Sequence, residues 1–213
     1  MPPQRIRRHF IRNGTLTLYK GSNTMESALI VSCTEKTIAF FTELLKAASI
    51  GYIASLPSAG EARRLLLERD FDLVIVNAPL QDENGESFSR HTAAKGISQV
   101  ILAVKSEHFD AVSALCENDG VLTIAKPLNR TDVWSALTFA KSAWSKMKRI
   151  QAEDSNLKQK IEDIRRVDRA KYVLISRLNM SEKEAHRLIE KQAMDMRSTK
   201  RAIAEAILKT YEN

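Results

Sequence analysis

The stretch Phe71-Asp72-Leu73-Val74-Ile75-Val76-Asn77-Ala78-Pro79 is a short apolar run, rich in β-branched residues, that ends in a polar side chain and a proline. Unbroken apolarity over so few residues suits a strand buried on both faces, as parallel strands covered by helices are. Four similar runs accompany it: Ala28 to Ser32, Tyr52 to Ser55, Val100 to Val104 and Val121 to Ala125. Helical stretches lie between them, near Lys36 to Ala48, Gly60 to Glu68, Glu86 to Ala94 and Phe109 to Asn118. Ser58-Ala59-Gly60-Glu61 reads as a capping-box start, and Asn129 followed by Asp132 opens a fifth helix in a similar way. Five β-then-α units between residues 25 and 145 predict an α/β doubly wound domain with the flavodoxin-like strand order 2-1-3-4-5.

The whole chain has 213 residues, 44% hydrophobic and 28% charged, which suits one ordinary domain and a smaller appendage. Two cysteines, Cys33 and Cys116, are too few for a disulfide framework or a four-ligand zinc site, so a reducing cytoplasm is the expected setting. No apolar run approaches the roughly 18 to 20 residues of a membrane-spanning helix, and a soluble protein without a membrane partner is expected.

The net charge of +7 is unevenly spread. Residues 1–24 carry +5, residues 25–144 carry −4 and residues 145–213 carry +6. The positive field therefore belongs to the two ends, around a mildly acidic middle. Residues 1–24, with Pro2, Pro3 and clustered arginines but no periodic apolar face, read as a disordered basic leader, with a basic nucleic-acid arm as the alternative.

Over roughly residues 25–145 the chain resembles the receiver domain of bacterial two-component response regulators. The resemblance rests on the first strand ending in Ser32-Cys33, the third ending at Asn77 with Gly85 downstream, and Lys126-Pro127 after the fifth. It implies a site where acids after the first strand hold magnesium and an aspartate at the end of the third accepts a phosphoryl group. Here Ser32 and Cys33 occupy the acidic slots, Asn77 the acceptor slot, and Val104 the slot of a hydroxyl residue on the fourth strand; Lys126 alone matches. Pro79 follows Asn77 by two residues where the family spacing is four, and aligning on the proline selects Ile75, which is no better. An amide offers no nucleophile for an acyl phosphate. These residues are a degenerate phosphorylation site, and the expectation is a pseudo-receiver with no metal and no cofactor. Asp72, Asp82 and Glu83 are nearby acids, read as poor candidates for rescuing a metal site.

The fifth helix meets neither Gly nor Pro from Thr131 to Leu178. Alternating steps of three and four give Met147, Ile150, Asp154, Leu157, Ile161, Ile164 and Asp168, apolar at five of seven positions. This reads as a coiled-coil linker over residues 146–168 that dimerises through Met147, Ile150, Leu157, Ile161 and Ile164, with Asp154 setting register. The alternative is an amphipathic helix packed on its own domain.

Near Val167 the apolar stripe shifts to Ala170, Leu174 and Leu178. Ser181-Glu182-Lys183-Glu184 is a second capping box, starting a helix with Ala185, Leu188, Ile189, Ala193 and Met196 on one face. Ser198 and Thr199 can cap a last helix with Ala202, Ile203, Ala206, Ile207 and Tyr211 inward. A three-helix bundle of about 50 residues is predicted, too small a core to be robust alone.

Residues 160–213 resemble an ANTAR domain, the RNA-binding module of bacterial transcription antiterminators. The carriers are Arg169-Ala170-Lys171, Leu174 with Leu178, Ser181-Glu182-x-Glu184-Ala185, Gln192-Ala193-Met194 with Arg197, and Ala202 with Ala206 and Ile207. The resemblance implies a homodimer that binds tandem hairpins in leader mRNA and prevents a terminator hairpin from forming. Cations, amides and planar groups read phosphates and unstacked bases in RNA loops. The RNA-binding candidates are Ala170, Lys171, Arg187, Lys191, Gln192, Arg197, Lys200 and Arg201, with Ala170 permitting close approach. No nucleophile elbow, phosphate loop or metal spacing appears, and the four histidines are scattered, so no enzyme is expected and there is no catalytic residue to name. The competing readings are a DNA-binding response regulator and a protein-interaction scaffold.

Overall fold

The computed structural model describes residues 24–211, so all but Thr24 of the basic leader expected at 1–24 lies outside the described residues. The chain divides into two compact units, residues 1–145 and 146–213.

The first unit is a five-stranded parallel sheet in the order β2-β1-β3-β4-β5. Its strands are β1 (Ser27–Val31), β2 (Tyr52–Leu56), β3 (Leu73–Asn77), β4 (Gln99–Lys105) and β5 (Val121–Lys126), alternating with α1 (Glu35–Ala47), α2 (Ala59–Glu68), α3 (Glu86–Ala94) and α4 (Phe109–Cys116). The expected architecture and strand order are present. Every residue of β1 and β3 is buried, which is why both read as unbroken apolar runs. Leu29, Val31, Val74, Val76, Leu102 and Val104 share a core with Ala62 of α2, Phe88 of α3 and Val112 of α4. The alternate residues Ala28, Ile30, Ile75 and Ile101 are equally buried, on the other face of the pleat.

Three details differ from the sequence expectation. β1 lies one residue earlier and stops before Ser32, because Asp72 fastens its start: the Asp72 carboxylate accepts from the N–H of Glu26 at 2.9 Å and of Ser27 at 3.0 Å, and from the Ser27 hydroxyl at 2.9 Å. α4 ends at Cys116 in a short 3-10 turn, and Gly120, at φ +76°, leads into β5. The Ser58 cap is also one-sided. Its hydroxyl accepts from the Glu61 N–H at 3.2 Å, while the neighbouring N–H groups of Ala59 and Gly60 are taken by Asp82 at 2.9 and 2.8 Å.

A single helix, α5 (Arg130–Leu178), begins in the first unit and continues into the second. Its start is as expected, with the Asp132 N–H donating to Asn129 Oδ1 at 2.7 Å. Val133, Leu137, Ala140 and Trp144 are buried, as are Ala170, Val173 and Leu174, and no residue from 145 to 169 is buried.

The second unit packs the end of α5 with α6 (Glu182–Asp195) and α7 (Lys200–Tyr211). Ala170, Leu174, Ala185, Ile189, Ala193, Ile203, Ala204 and Ile207 form its core. Ser181 and Glu184 make the complete reciprocal capping box, and the Ala202 N–H donates to the Thr199 hydroxyl at 3.1 Å. The inward faces need correction. Ala204 rather than Ala202 and Ala206 is buried, and Leu178 and Met196 are 41% and 69% exposed. Turning the stripe of Ile203, Ile207, Leu208 and Tyr211 inward leaves only alanine methyls on its flanks, where exposure costs little. Met196 is the residue on which α6 ends, already outside the packed stripe.

Candidate functional site

Two places bear on function, one in each unit. At the carboxyl ends of the parallel strands, where ligands of such sheets bind, Asn77 closes β3 beside the buried Ser32. The Asn77 amide donates to the Ser32 hydroxyl at 3.0 Å, and the Thr34 N–H donates to the same oxygen at 3.2 Å. Asn77 Oδ1 is buried with no hydrogen-bond partner among the described residues. Cys33 is exposed, its sulfur 3.8 Å from the Pro79 carbonyl. Val104 is buried in β4 opposite Ala125. The Lys126 ammonium donates to the Ala78 carbonyl. Burial pushes the Lys126 ammonium below its ordinary pKa, a shift opposed by nearby Cys33 and reinforced by Lys105. The expected residues Ser32, Cys33, Asn77 and Lys126 thus gather at the carboxyl end of the sheet.

Among the described residues no carboxylate makes a hydrogen bond to these residues, and the three nearby acids are occupied elsewhere. Asp72 staples the opposite end of β1. Asp82 caps α2, and the two backbone N–H groups it accepts hold its carboxyl below the usual range. Glu83 pairs with Arg63 at 2.8 Å and accepts from the Phe88 N–H at 3.2 Å. Asp82 and Glu83 are therefore fastened structural groups rather than freely solvated turn residues. Among the described residues no cluster of His, Cys, Asp or Glu is arranged to hold a metal ion.

The second place is the surface of the three-helix bundle. Ala170 is fully buried in its core, so the close approach it permits is between helices. The six candidate cations fall into two groups. Lys171, its side chain only 17% exposed, pairs with Asp168 at 2.8 Å and Glu182 at 3.5 Å, and the Asp168 hydrogen bond raises its pKa. Lys200 pairs with Glu190, which also meets His186 at 3.2 Å. Arg201 bridges Asp163 at 2.9 Å and Glu205 at 3.0 Å.

Arg187, Lys191 and Arg197 are exposed and make no ion pair among the described residues. Arg187 and Lys191, four apart on α6, share a helix face. Gln192, on the same helix, is half-buried. Three further features escaped the sequence reading. Tyr172 and Met194 are 70% and 78% exposed, and Arg197 has φ +49°. The available signal was a helix ending with no glycine after it, since some residue must then take the left-handed position.

Along the intervening part of α5, Ile150, Leu157, Ile161 and Ile164 are 52%, 58%, 44% and 61% exposed. Met147 is half-buried.

Comparison with known proteins fits this division. Residues 155–208 match the family model of the ANTAR domain. At 25% identity over 168 residues, 79% of this chain and 82% of the relative, the chain is similar to the transcriptional regulatory protein PdtaR of Mycobacterium tuberculosis, in strains CDC 1551 / Oshkosh and ATCC 25618 / H37Rv alike. Its fold is similar to that of the signal receiver domain of an HD domain-containing protein from Pseudomonas fluorescens Pf-5. There the TM-score is 0.51 at 20% identity, over 63% of this chain and 98% of that one. No helix among the described residues is long and apolar enough to cross a membrane.

Proposed function

We propose that this chain, an ANTAR response regulator, is a cytoplasmic RNA-binding transcription antiterminator that works as a homodimer and is not an enzyme. Each C-terminal bundle grips one of two adjacent hairpins in a leader mRNA, and holding both keeps a terminator hairpin from forming. The observation that carries this reading is the ANTAR match over a folded bundle whose surface offers Arg187, Lys191 and Arg197 with no acidic partner. Unpaired cations exchange condensed counterions for contact with phosphate, so they favour a nucleic acid strongly at low salt. Lys171, Lys200 and Arg201 must first leave a carboxylate, so they contribute less to phosphate binding and more to holding the helices together.

Pairing along α5 supplies the second bundle. The exposed Ile150, Leu157, Ile161 and Ile164 keep the three-and-four spacing of a coiled-coil seam, and no other part of the described chain buries them. The proposed boundaries are the pseudo-receiver at 25–145, the coiled-coil linker at 146–168 and the ANTAR domain at 160–213.

The head is read as a receiver that takes no phosphoryl group. Asn77 cannot serve as the acceptor, and Ser32 and Cys33 provide no anionic oxygen for magnesium.

A gel shift of the full-length chain tests the first claim, with tandem-hairpin RNA and the corresponding duplex DNA run side by side. Tight, steeply salt-dependent binding of the RNA alone is expected. Equal binding of both would mean a generic basic surface or a DNA-binding regulator, and binding of neither would leave a protein-interaction scaffold. For the head, acetyl phosphate with magnesium should leave the intact mass unchanged, and an added phosphoryl group within residues 25–145 would refute the pseudo-receiver.

A further inference from the structure

We propose that the turn between α6 and α7 is a contact knuckle for an unpaired RNA nucleotide. In it, Arg197, held at a left-handed backbone, directly follows the exposed Met194 and Met196 along the chain. The inference rests on the RNA-binding reading above and names a contact within it.

The end of α6 makes both hydrogen bonds of a Schellman motif. The Ser198 N–H reaches back to the Ala193 carbonyl at 2.9 Å, and the Arg197 N–H to the Met194 carbonyl at 3.1 Å. That closure requires a left-handed residue at the position of Arg197, which has φ +49°. Glycine is the usual occupant, since a Cβ clashes with the following carbonyl in this conformation. Asn179, which has φ +55° just after α5, is a residue type that tolerates it, and Ser49, at φ +63°, closes α1 with the same pair of hydrogen bonds. Arg197 differs from both in carrying a long cationic side chain, exposed with no ion pair among the described residues. Its neighbours are equally out of place for packing alone: Met194 is 78% exposed and Met196 69%. A non-glycine residue held there is one mark of a contact surface, and at Arg197, unlike Ser49, it coincides with an unpaired cation and two exposed thioethers.

The chemistry selects a looped nucleic acid. A guanidinium fork matches phosphate oxygens or the edge of a guanine, and it stacks on base planes. Polarizable thioethers cover aromatic faces. Hairpin loops present unstacked bases with their phosphates close by, so one nucleotide satisfies both kinds of group. Arg187 and Lys191, on the helix that leads into the turn, extend the unpaired positive surface. An acidic protein segment would satisfy the cations and leave the thioethers without a planar partner.

The test uses full-length protein, tandem-hairpin RNA and thermal melting. Arg197→Gly should raise the melting temperature by about 3 to 6 °C, since a glycine relieves the left-handed backbone. The same variant should bind the RNA about 10-fold more weakly. Arg197→Lys, which keeps both the charge and the strain, should melt like the parent and lose about 3-fold. Met194→Ser with Met196→Ser should lose about 5-fold at an unchanged melting temperature. If the parent chain binds hairpin RNA and Arg197→Gly binds equally well, the knuckle is wrong while the RNA reading stands. A lower or unchanged melting temperature for Arg197→Gly would equally overturn it, because the strain would not be there. A parent chain that ignores hairpin RNA brings down the broader reading.

Discussion

In the receiver-fold unit two acids are taken up by backbone donors, Asp72 by the N–H groups of Glu26 and Ser27 and Asp82 by those of Ala59 and Gly60, while others, Glu83 and Asp119 among them, meet arginines. In the C-terminal unit the acids largely face cations, as Asp168, Glu182, Glu190, Asp163 and Glu205 show. The contrast follows from what each unit must do. A sheet buried on both faces has exposed chain ends and loop N–H groups to satisfy, and a carboxylate satisfies two at once. A small helical bundle satisfies its own backbone and keeps its charges at the surface, where a net positive balance is available to a polyanion. A count of charges therefore overstates the free positive surface: among the described residues three of the six candidate cations are already paired with acids and three are not.

The largest expected effect lies in the exposed apolar seam along α5, within the second unit. Leu157→Asp with Ile161→Asp should convert a dimer into a monomer by sedimentation and lower affinity for tandem hairpins about 100-fold. Affinity for a single hairpin should be unchanged, because only the second, linked contact is lost. An equal loss on a single hairpin would mean that the seam supports the bundle itself.

A smaller effect separates free cations from partnered ones. Arg187→Ala with Lys191→Ala should weaken tandem-hairpin binding about 10- to 30-fold and flatten the log–log salt dependence by about 1.4, the value for two lost contacts to single-stranded phosphate. Lys200→Ala with Arg201→Ala should cost no more than about 3-fold, since those side chains already have carboxylates. Equal losses would erase the distinction between the two groups.

The smallest effect is the response to acid. Hydrogen bonds from the Ser181 hydroxyl and N–H hold Glu184 below its ordinary 4.5, and Lys200 does the same for Glu190. Asp82 sits below its ordinary 3.8. A carboxyl lowered by folding contributes stability that is fully present above its ordinary pKa and is lost as the pH falls through the lowered value. Acidification should therefore begin to loosen the bundle just below pH 4.5, and the Asp82 cap only below pH 3.8. Helical circular dichroism should fall before the fluorescence of Trp134 and Trp144, which both lie in the first unit, and Glu184→Gln should flatten the early part. Coincident transitions would show one acid response shared by both units.

Much of this was legible along the chain. The five strands, the long α5 and the Ser181 capping box followed from short-range pattern, and the resemblance to receiver domains drew Ser32, Asn77 and Lys126 together at the carboxyl ends of the strands. Apolar period, caps and the absence of breakers act within a few residues, so they can be read without knowing what lies opposite. The inward flank of α7 was misread because Ala202, Ala204 and Ala206 are interchangeable by hydropathy.

Other features belong to residues that meet across long separations. The grip of Asp72 on Ser27, of Asp82 on Ala59, and of Asp163 on Arg201 joins positions 45, 23 and 38 apart, and no local period encodes such pairs. Those contacts decide which acids are unavailable to a metal and which cations stay without an ion pair among the described residues. The left-handed Arg197 is different, since its conformation is closed locally by the bonds from Arg197 to Met194 and from Ser198 to Ala193. Local pattern was enough to establish the architecture and the basic bundle; the packed fold selected which charges remain free, because only folding brings each acid to its partner.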